Sequence, residues 1–289
     1  MQFTNLTGLP EPLVRAVTND PYDRGTRTDF SVTQLLGPPR IRVLRKRHRD
    51  QIVEDVSDRI YALLGQSIHT ILERAETGDA LAEVRLYMEI DGLTISGQLD
   101  HCVFFKSEGL LTDYKLCSVW ADDSKPEWQQ QLNLLALLLT RNGYRVSKAQ
   151  ILAIYRDWSK SRARREISYP QHQARPIDVP LWSEVETENF LRERIKAHVE
   201  AEWALPECTN DERWYRGEQW AVMKEGNKRA TSLHDFKDAA EKDAAELNEK
   251  SKPRKAQYRV EHRPGVNVRC ADYCQVSEFC EQFKAMGEK

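Results

Sequence analysis

Residues 97–115 constrain this chain most. They read Gly97-Gln98-Leu99-Asp100, then an apolar run, then Asp113-Tyr114-Lys115. Two runs rich in β-formers, 93–105 and 110–116, flank Lys106-Ser107-Glu108-Gly109, which reads as a hairpin loop. A four-residue loop pairs Phe105 with Leu110, Cys102 with Asp113, and Asp100 with Lys115. Directly opposed residues share a sheet face, so Asp113 falls diagonal to Asp100 at roughly 7–8 Å. Asp91-Gly92 is a strong two-residue turn signal, and pairing Ile90 with Leu93 across it sets Glu83 opposite Asp100. Three acids and a lysine on one side of a three-stranded meander are unfavourable in a core unless they hold a cation. The cluster is therefore a metal site or a solvated face.

Helical spacing of Val53, Val56, Ile60, Leu63, Leu64, Ile68, Ile71 and Leu72 predicts a helix over 51–75. It carries His69, one turn after Gly65, a glycine expected to admit a close backbone. Alone, His69 reads as a hydrogen-bonded core residue sooner than as a ligand; the acids downstream are what make it a ligand candidate. A second helix over 127–142 places Gln131 on the stripe of Trp128, Leu135 and Leu138, where a buried amide needs partners. Gly143 ends that helix, and 149–158 alternates as a strand expected to return parallel beside the meander.

The opening 1–39 is broken by Pro10, Pro12, Asp20-Pro21 and Gly37-Pro38-Pro39, with one short element over 29–36. Arg40, Arg42, Arg45, Lys46, Arg47, His48 and Arg49 then read as a solvated helix face or a phosphate-contacting patch. Lys160, Arg162, Arg164 and Arg165 follow the 149–158 strand. A helix over 183–204 comes next, and the last eighty residues read strand, helix, strand (219–224, 235–249, 257–262), with Lys224, Lys228, Arg229, Lys252, Arg254 and Lys255 at the joints. The expected fold class is α/β with a mixed central sheet. The expected domains are an irregular basic segment 1–50, a core with its following helix over 51–207, and a cysteine-bearing region 208–289 packed on that core.

The 289 residues carry a net charge of −2, so a nucleic-acid partner must be met by local basic patches. No apolar run reaches the roughly 18–20 residues of a membrane span, and 1–10 lacks a signal-peptide core, which predicts a cytoplasmic protein with no membrane partner. In that compartment the crowding of Cys270, Cys274 and Cys280 favours metal or cluster ligation over disulfides, with Cys208 as fourth ligand. Four thiolates hold either a [4Fe-4S] cluster or a tetrahedral Zn²⁺. Cys102 and Cys117 read as core thiols.

Paired acids with a lysine two residues beyond one of them suit metal-assisted phosphodiester hydrolysis, in which carboxylates bind a hard cation and the lysine orients water or stabilises charge. The ordered set Gly65-x3-His69, Gly97-x2-Asp100, Asp113-x-Lys115 and Gln131-Leu132-Asn133-Leu134-Leu135 resembles the PD-(D/E)XK nuclease superfamily, in its RecB-like exonuclease branch. The resemblance covers roughly 53–158 and implies an αβββαβ restriction-endonuclease-like core. It further implies Mg²⁺ or Mn²⁺ held by His69, Asp100, Asp113 and the Tyr114 carbonyl, Lys115 as catalytic lysine, Gln131 as its supporting glutamine, and Glu83 at a looser acidic position. The opening is similar to phage-encoded members, which implies work on DNA ends in recombination, repair or replication in a bacterial host cytoplasm, with a recombination or single-strand-binding protein as a further partner. The one-plus-three cysteine layout resembles the iron-sulfur staple of the AddB subunit and CRISPR-associated exonucleases. It departs from them in placing the lone cysteine after the core and spacing the first two of the trio by three residues. A non-catalytic DNA-binding module with the same staple is the alternative, and a redox protein a third class that lacks a companion Gly-x-Gly-x-x-Gly motif.

Overall fold

The computed structural model describes residues 2–19, 28–76, 78–121, 123–251 and 257–287; Asp20-Pro21 and the cations Lys252, Arg254 and Lys255 lie outside them. The chain divides into two compact units, Met1–Leu205 and Pro206–Lys289.

The first fifty residues belong to the first unit rather than forming a segment of their own. Strand β1 (Gln2–Thr4) is followed by α1 (Glu11–Thr18), β2 (Phe30–Ser31), α2 (Val32–Leu36) and α3 (Pro39–Arg47). Ser31 and Gln34 close α2 with a reciprocal capping box. The helix expected over 51–75 is shorter. Val53–Asp55 is strand β3, paired in parallel with β1, and Asp55 bends the chain by accepting from the Ser57 amide. After a 3-10 turn (Val56–Arg59), α4 runs Ile60–Ala75. Gly65 admits no close neighbour: a Cβ there would meet nothing within 4 Å.

Next come β4 (Leu81–Ala82), β5 (Arg85–Ile90), β6 (Leu93–Gln98), β7 (His101–Phe105) and β8 (Glu108–Cys117). The expected meander is not one sheet. β5 and β6 join β2 in the order β2-β6-β5, while β4, β7 and β8 belong to a five-stranded sheet. The break falls at Glu83, whose φ of 51° is left-handed, and opposite it at Leu99-Asp100. Register survives the break. Ile90↔Leu93, Arg85↔Gln98, Ala82↔His101 and Leu81↔Cys102 follow one count, and Glu83 N–H donates to the Asp100 carbonyl at 2.9 Å.

The β7–β8 loop is two residues, not four. Lys106 and Ser107 both have positive φ, the conformation of a type I′ turn whose twist matches the strands it joins. Phe105 therefore pairs with Glu108 and Cys102 with Leu111. Gly109 sits in the strand, where a Cβ would come within 2.9 Å of Cys102 Sγ and 3.0 Å of the Arg145 carbonyl.

Helix α5 (Pro126–Arg141) crosses back to β9 (Val146–Tyr155), which runs parallel to β8; then come α6 (Lys160–Ala163), β10 (Ala174–Val179) and α7 (Glu184–Glu200). The large sheet has the order β10-β9-β8-β7-β4. Helix α5 buries Leu132, Leu134, Leu135, Leu137, Leu138 and Leu139, because the sheet, α2 and α7 all lie against it. Gly97 permits that approach: a Cβ there would stand 2.6 Å from Leu138 and 2.7 Å from Leu135.

The basic run 40–49 is neither a solvated face nor a phosphate patch as a whole. Arg40 is buried, and Arg42 and Lys46 pair with Glu202 beyond α7. Arg42 Nε also donates to His198 Nδ1 at 3.0 Å, while His198 Nε2 faces the Leu35 and Gly37 carbonyls at 3.2 Å. Those partners require the neutral tautomer with its proton on Nε2.

In the second unit, β11 (Tyr215–Arg216) precedes β12 (Gln219–Lys224), β13 (Ala230–His234), α8 (Lys237–Ser251), β14 (Tyr258–Arg263), β15 (Val266–Asn267) and α9 (Glu281–Ala285). An antiparallel sheet β13-β12-β14 packs Trp220, Val222 and Val260 against Ala240 and Ala244 of α8, and β11 pairs with β15. Strand β13 was missing from the expected strand-helix-strand order; Ala-Thr-Ser-Leu-His carries too little apolar alternation to announce it. No helix among the described residues is long and apolar enough to cross a membrane.

Burial and the Arg194 and Arg42 guanidiniums push the His198 pKa down to about 4. The unfolded chain takes up a proton near 6.5 and the folded one near 4, so acidification through this interval favours unfolding. Thermal melts should show wild type losing stability from pH 6.5 to 4 relative to His198→Asn, which carries no titrating ring; parallel curves for the two would contradict this reading.

Candidate metal centre and its lysine

Four elements converge on one face of the large sheet: α4 brings His69, the β4–β5 link Glu83, the β6–β7 link Asp100, and β8 Asp113 and Lys115. Continuing the β7–β8 register one pair past His101↔Thr112 sets Asp100 opposite Asp113, not opposite Lys115 as the longer loop implied. The correction is a slip of two residues, so every side chain keeps its face. The expected row of Glu83, Asp100 and Lys115 becomes Glu83, Asp100 and Asp113, with Lys115 one diagonal step along β8.

His69 Nδ1 lies 2.9 Å from Glu83 Oε1 and 3.5 Å from Asp100 Oδ1. Ligand atoms of His69, Glu83 and Asp100 all fall within 4.8 Å of one another. Asp100 Oδ2 accepts from the Tyr114 amide at 2.7 Å. A strand residue sends its N–H and C=O to the same side, so the Tyr114 carbonyl also leaves β8 toward β7. Asp113 is 1% exposed; its Oδ1 accepts from Gln131 Nε2 at 2.8 Å. Its Oδ2 is 2.6 Å from Lys115 Nζ but outside hydrogen-bonding geometry, which leaves that buried oxygen with unused acceptor capacity. Lys115 Nζ donates to Gln131 Oε1 at 3.1 Å. Gln131 thus spans the acid and the lysine, the partners its place on an apolar stripe called for.

Burial and the Asp113 carboxylate drive the Asp100 pKa up to about 7, against the opposing pull of His69, the Tyr114 amide and Lys115. His69 is shifted upward, chiefly by its hydrogen bond to Glu83. Both shifts favour the protonated forms, which a nearby positive charge would oppose. The donors of the site are carboxylate oxygens, one imidazole and a carbonyl, a set that fits a hard divalent cation such as Mg²⁺ or Mn²⁺.

Sequence reasoning overlooked the outer contacts. Gln98 Nε2 donates to Glu83 Oε2 at 2.7 Å and is itself held by Arg85 at 3.0 Å. Its signal was present, since Gln98 precedes Asp100 by two and so shares its face. His101 Nε2 meets Glu76 Oε2 at 2.8 Å, and the Tyr114 ring lies between His69 and His101.

In the second unit, the Cys208 amide and carbonyl are clasped by the Gln282 side chain, both at 2.9 Å. Cys280 caps α9, and Cys270 and Cys274 bracket the end of a π-turn (Arg269–Tyr273). None of the six cysteines is joined in a disulfide. The four sulfurs are not gathered within the 4.8 Å that groups His69, Glu83 and Asp100. A tetrahedral zinc with Zn–S bonds of about 2.3 Å would draw them to about 3.8 Å. Cys102 and Cys117 are core thiols, and burial raises the pKa of both.

No family model matches the chain, and no curated protein matches it. Among solved structures it is similar to one described as "Crystal structure of SSO0001", at 18% identity and a TM-score of 0.44, over 64% of this chain and 83% of that one.

In chelator at pH 8, Asp100→Asn should melt above wild type, since it removes one of two facing carboxylates. Each kcal/mol relieved is worth about 2–4 °C in a unit of this size. Added Mg²⁺ should raise wild type and leave the variant almost unmoved. A variant that melts lower in chelator would mean the carboxylate is structural.

Proposed function

We propose that the protein is a metal-dependent DNA nuclease that hydrolyses phosphodiester bonds at DNA ends. The observation that carries this reading is the pair of buried carboxylates facing each other across β7 and β8, with Lys115 held beside them by Gln131. The likeness of the ordered motifs around these same residues to PD-(D/E)XK nucleases supports the reading.

His69, Asp100, Asp113 and the Tyr114 carbonyl would hold the cation, with Glu83 completing the acidic wall. A cation there supplies positive charge to the scissile phosphate and acidifies water. The protein's own residues do the rest. Asp113 and Gln131 fix the Lys115 ammonium, whose remaining protons are left for a phosphate oxygen or the attacking water; the side chain keeps 27% of its surface open. Gln98 and Arg85 steady Glu83, and Glu83 steadies the His69 ring.

For the cysteines we favour a [4Fe-4S] cluster over Zn²⁺. That preference rests on the one-plus-three layout of the cysteines, since zinc knuckles usually offer two close Cys pairs. Closing some sixty residues between Cys208 and Cys270 makes such a group a structural staple first.

With end-labelled linear DNA, Mg²⁺ or Mn²⁺ should support progressive loss of label while closed circles persist. Asp113→Ala and Lys115→Ala should each lower the rate by several orders of magnitude, at least the hundred- to thousandfold typical of one lost transition-state donor. Activity that persists in chelator, or in Asp113→Ala, would refute the proposal. Protein purified without oxygen should be brown and bleach in air; colourless protein releasing one equivalent of zinc on thiol modification would overturn the iron-sulfur assignment.

A further inference from the structure

Beyond Lys115, β8 continues two residues to Cys117 and enters a turn that presents Trp120 with 67% of its surface exposed. An exposed tryptophan is commonly mobile, but this one is tied down. Asp157, just past β9, accepts from Ser118 Oγ at 2.6 Å and from the Val119 amide at 2.8 Å. Ser118 Oγ in turn accepts from the Trp120 amide at 3.3 Å. The Arg162 guanidinium sits 4.7 Å over the indole and 5.0 Å over Tyr169, whose ring meets Trp120 edge-on at 6.3 Å. The indole is held from behind and open in front.

A second aromatic stands nearby on the element that carries His69. Tyr61, 66% exposed in the first turn of α4, lies under the Arg156 guanidinium at 4.8 Å. Arg156 follows β9, and its amide bonds the Cys117 carbonyl at 3.0 Å. Helix α4 and the β8–β9 ends therefore approach each other twice, at the carboxylates and again at Tyr61 and Arg156. Eight residues of helix separate Tyr61 from His69, about 12 Å, or roughly three to four stacked nucleotides.

The charge here is unmatched. Residues 156–166 hold five cations against two acids. Among the described residues Arg162 pairs with Glu166, while Arg156, Lys160, Arg164 and Arg165 have no carboxylate in ion-pair range. Several other cations of the first unit are matched, Arg42 and Lys46 with Glu202, Arg141 with Glu184, Arg175 with Asp123, Arg192 with Asp91, whereas here four unmatched ones fall within eleven residues. Exposed, rigid aromatic faces among free cations are what an unpaired strand needs, because bases stack on the rings while phosphates meet the charges. A duplex hides its base faces and gains nothing from the rings.

We propose that Trp120 and Tyr61, with Arg156, Lys160, Arg162 and Arg164, form a stacking platform for single-stranded DNA leading into the carboxylate site. The proposal rests on the nuclease reading for its ligand, and its test does not require hydrolysis. Binding of a fluorescent twelve-nucleotide single strand, and of a duplex of equal length, is measured in chelator. Trp120→Ala should weaken single-strand binding by about tenfold or more and duplex binding by less than twofold, and Trp120→Phe should restore most of the loss. Trp203→Ala, which removes an indole 90% exposed elsewhere in the unit, should leave both unchanged. Arg164→Ala should lower the slope of log affinity against log salt by about 0.7. A base analogue whose fluorescence is quenched by stacking should be quenched by wild type and not by Trp120→Ala. Equal single-strand affinity for wild type and Trp120→Ala, with melting confirming that both are folded, would overturn the platform even if the protein degrades DNA. Trp120-dependent binding without any hydrolysis would sustain the platform and remove the nuclease.

Discussion

Two carboxylates face each other across adjacent strands with almost no access to water, and the first unit is built around tolerating them. Asp113 is 1% exposed and Asp100 9%. Like charges so placed repel, and burial disfavours each ion separately, which is why Asp100 holds its proton up to about pH 7. Three devices compensate: the Lys115 ammonium against Asp113, the Tyr114 amide on Asp100, and Gln131 spanning acid and lysine. Behind them stand the leucines of α5, each worth about 1.5–3 kcal/mol of burial. They reach the sheet because Gly97 has no side chain to hold them off. The helix that supplies most of the core also delivers Gln131, so packing and chemistry share one element.

How the chain could be read beforehand depended on how local each signal was. The β5–β6 register followed from Asp91-Gly92 alone, because a two-residue turn leaves one pairing. The β7–β8 register was misjudged by two residues. Lys106-Ser107 lacks the usual asparagine or glycine of a type I′ turn, and Gly109 drew the loop outward although it serves close packing in the strand. An even slip preserved the face, so the residues expected to meet do lie together, while their pairing differs. Division of the meander into two sheets left no local trace, since a left-handed φ at a glutamate is imposed by its surroundings. Strand β3 was hidden because its partner β1 lies some fifty residues away, and β13 because Ala-Thr-Ser-Leu-His carries little apolar alternation.

The basic segments show why charge runs mislead. Run 40–49 read as a solvated helix face or a phosphate patch, yet Arg40 is buried and Arg42, Lys46 and Arg47 are engaged by His198 and Glu202, with His198 held in one tautomer by Arg42. In the run after β9, Arg162 pairs with Glu166 and stands over Trp120 and Tyr169, Arg156 stands over Tyr61, and Lys160, Arg164 and Arg165 have no carboxylate in ion-pair range among the described residues. Composition could not separate the two cases. Which carboxylates lie within reach decides the matter, and only the fold supplies that.

The account stands on a divalent cation occupying the space between α4 and the β7–β8 carboxylates. Anomalous diffraction from crystals soaked in Mn²⁺ tests this most directly. The account predicts a peak within coordination range of His69, Asp100, Asp113 and the Tyr114 carbonyl, lost in Asp113→Ala crystals. Manganese elsewhere, with Asp100 and Asp113 left facing each other unaltered, would contradict it.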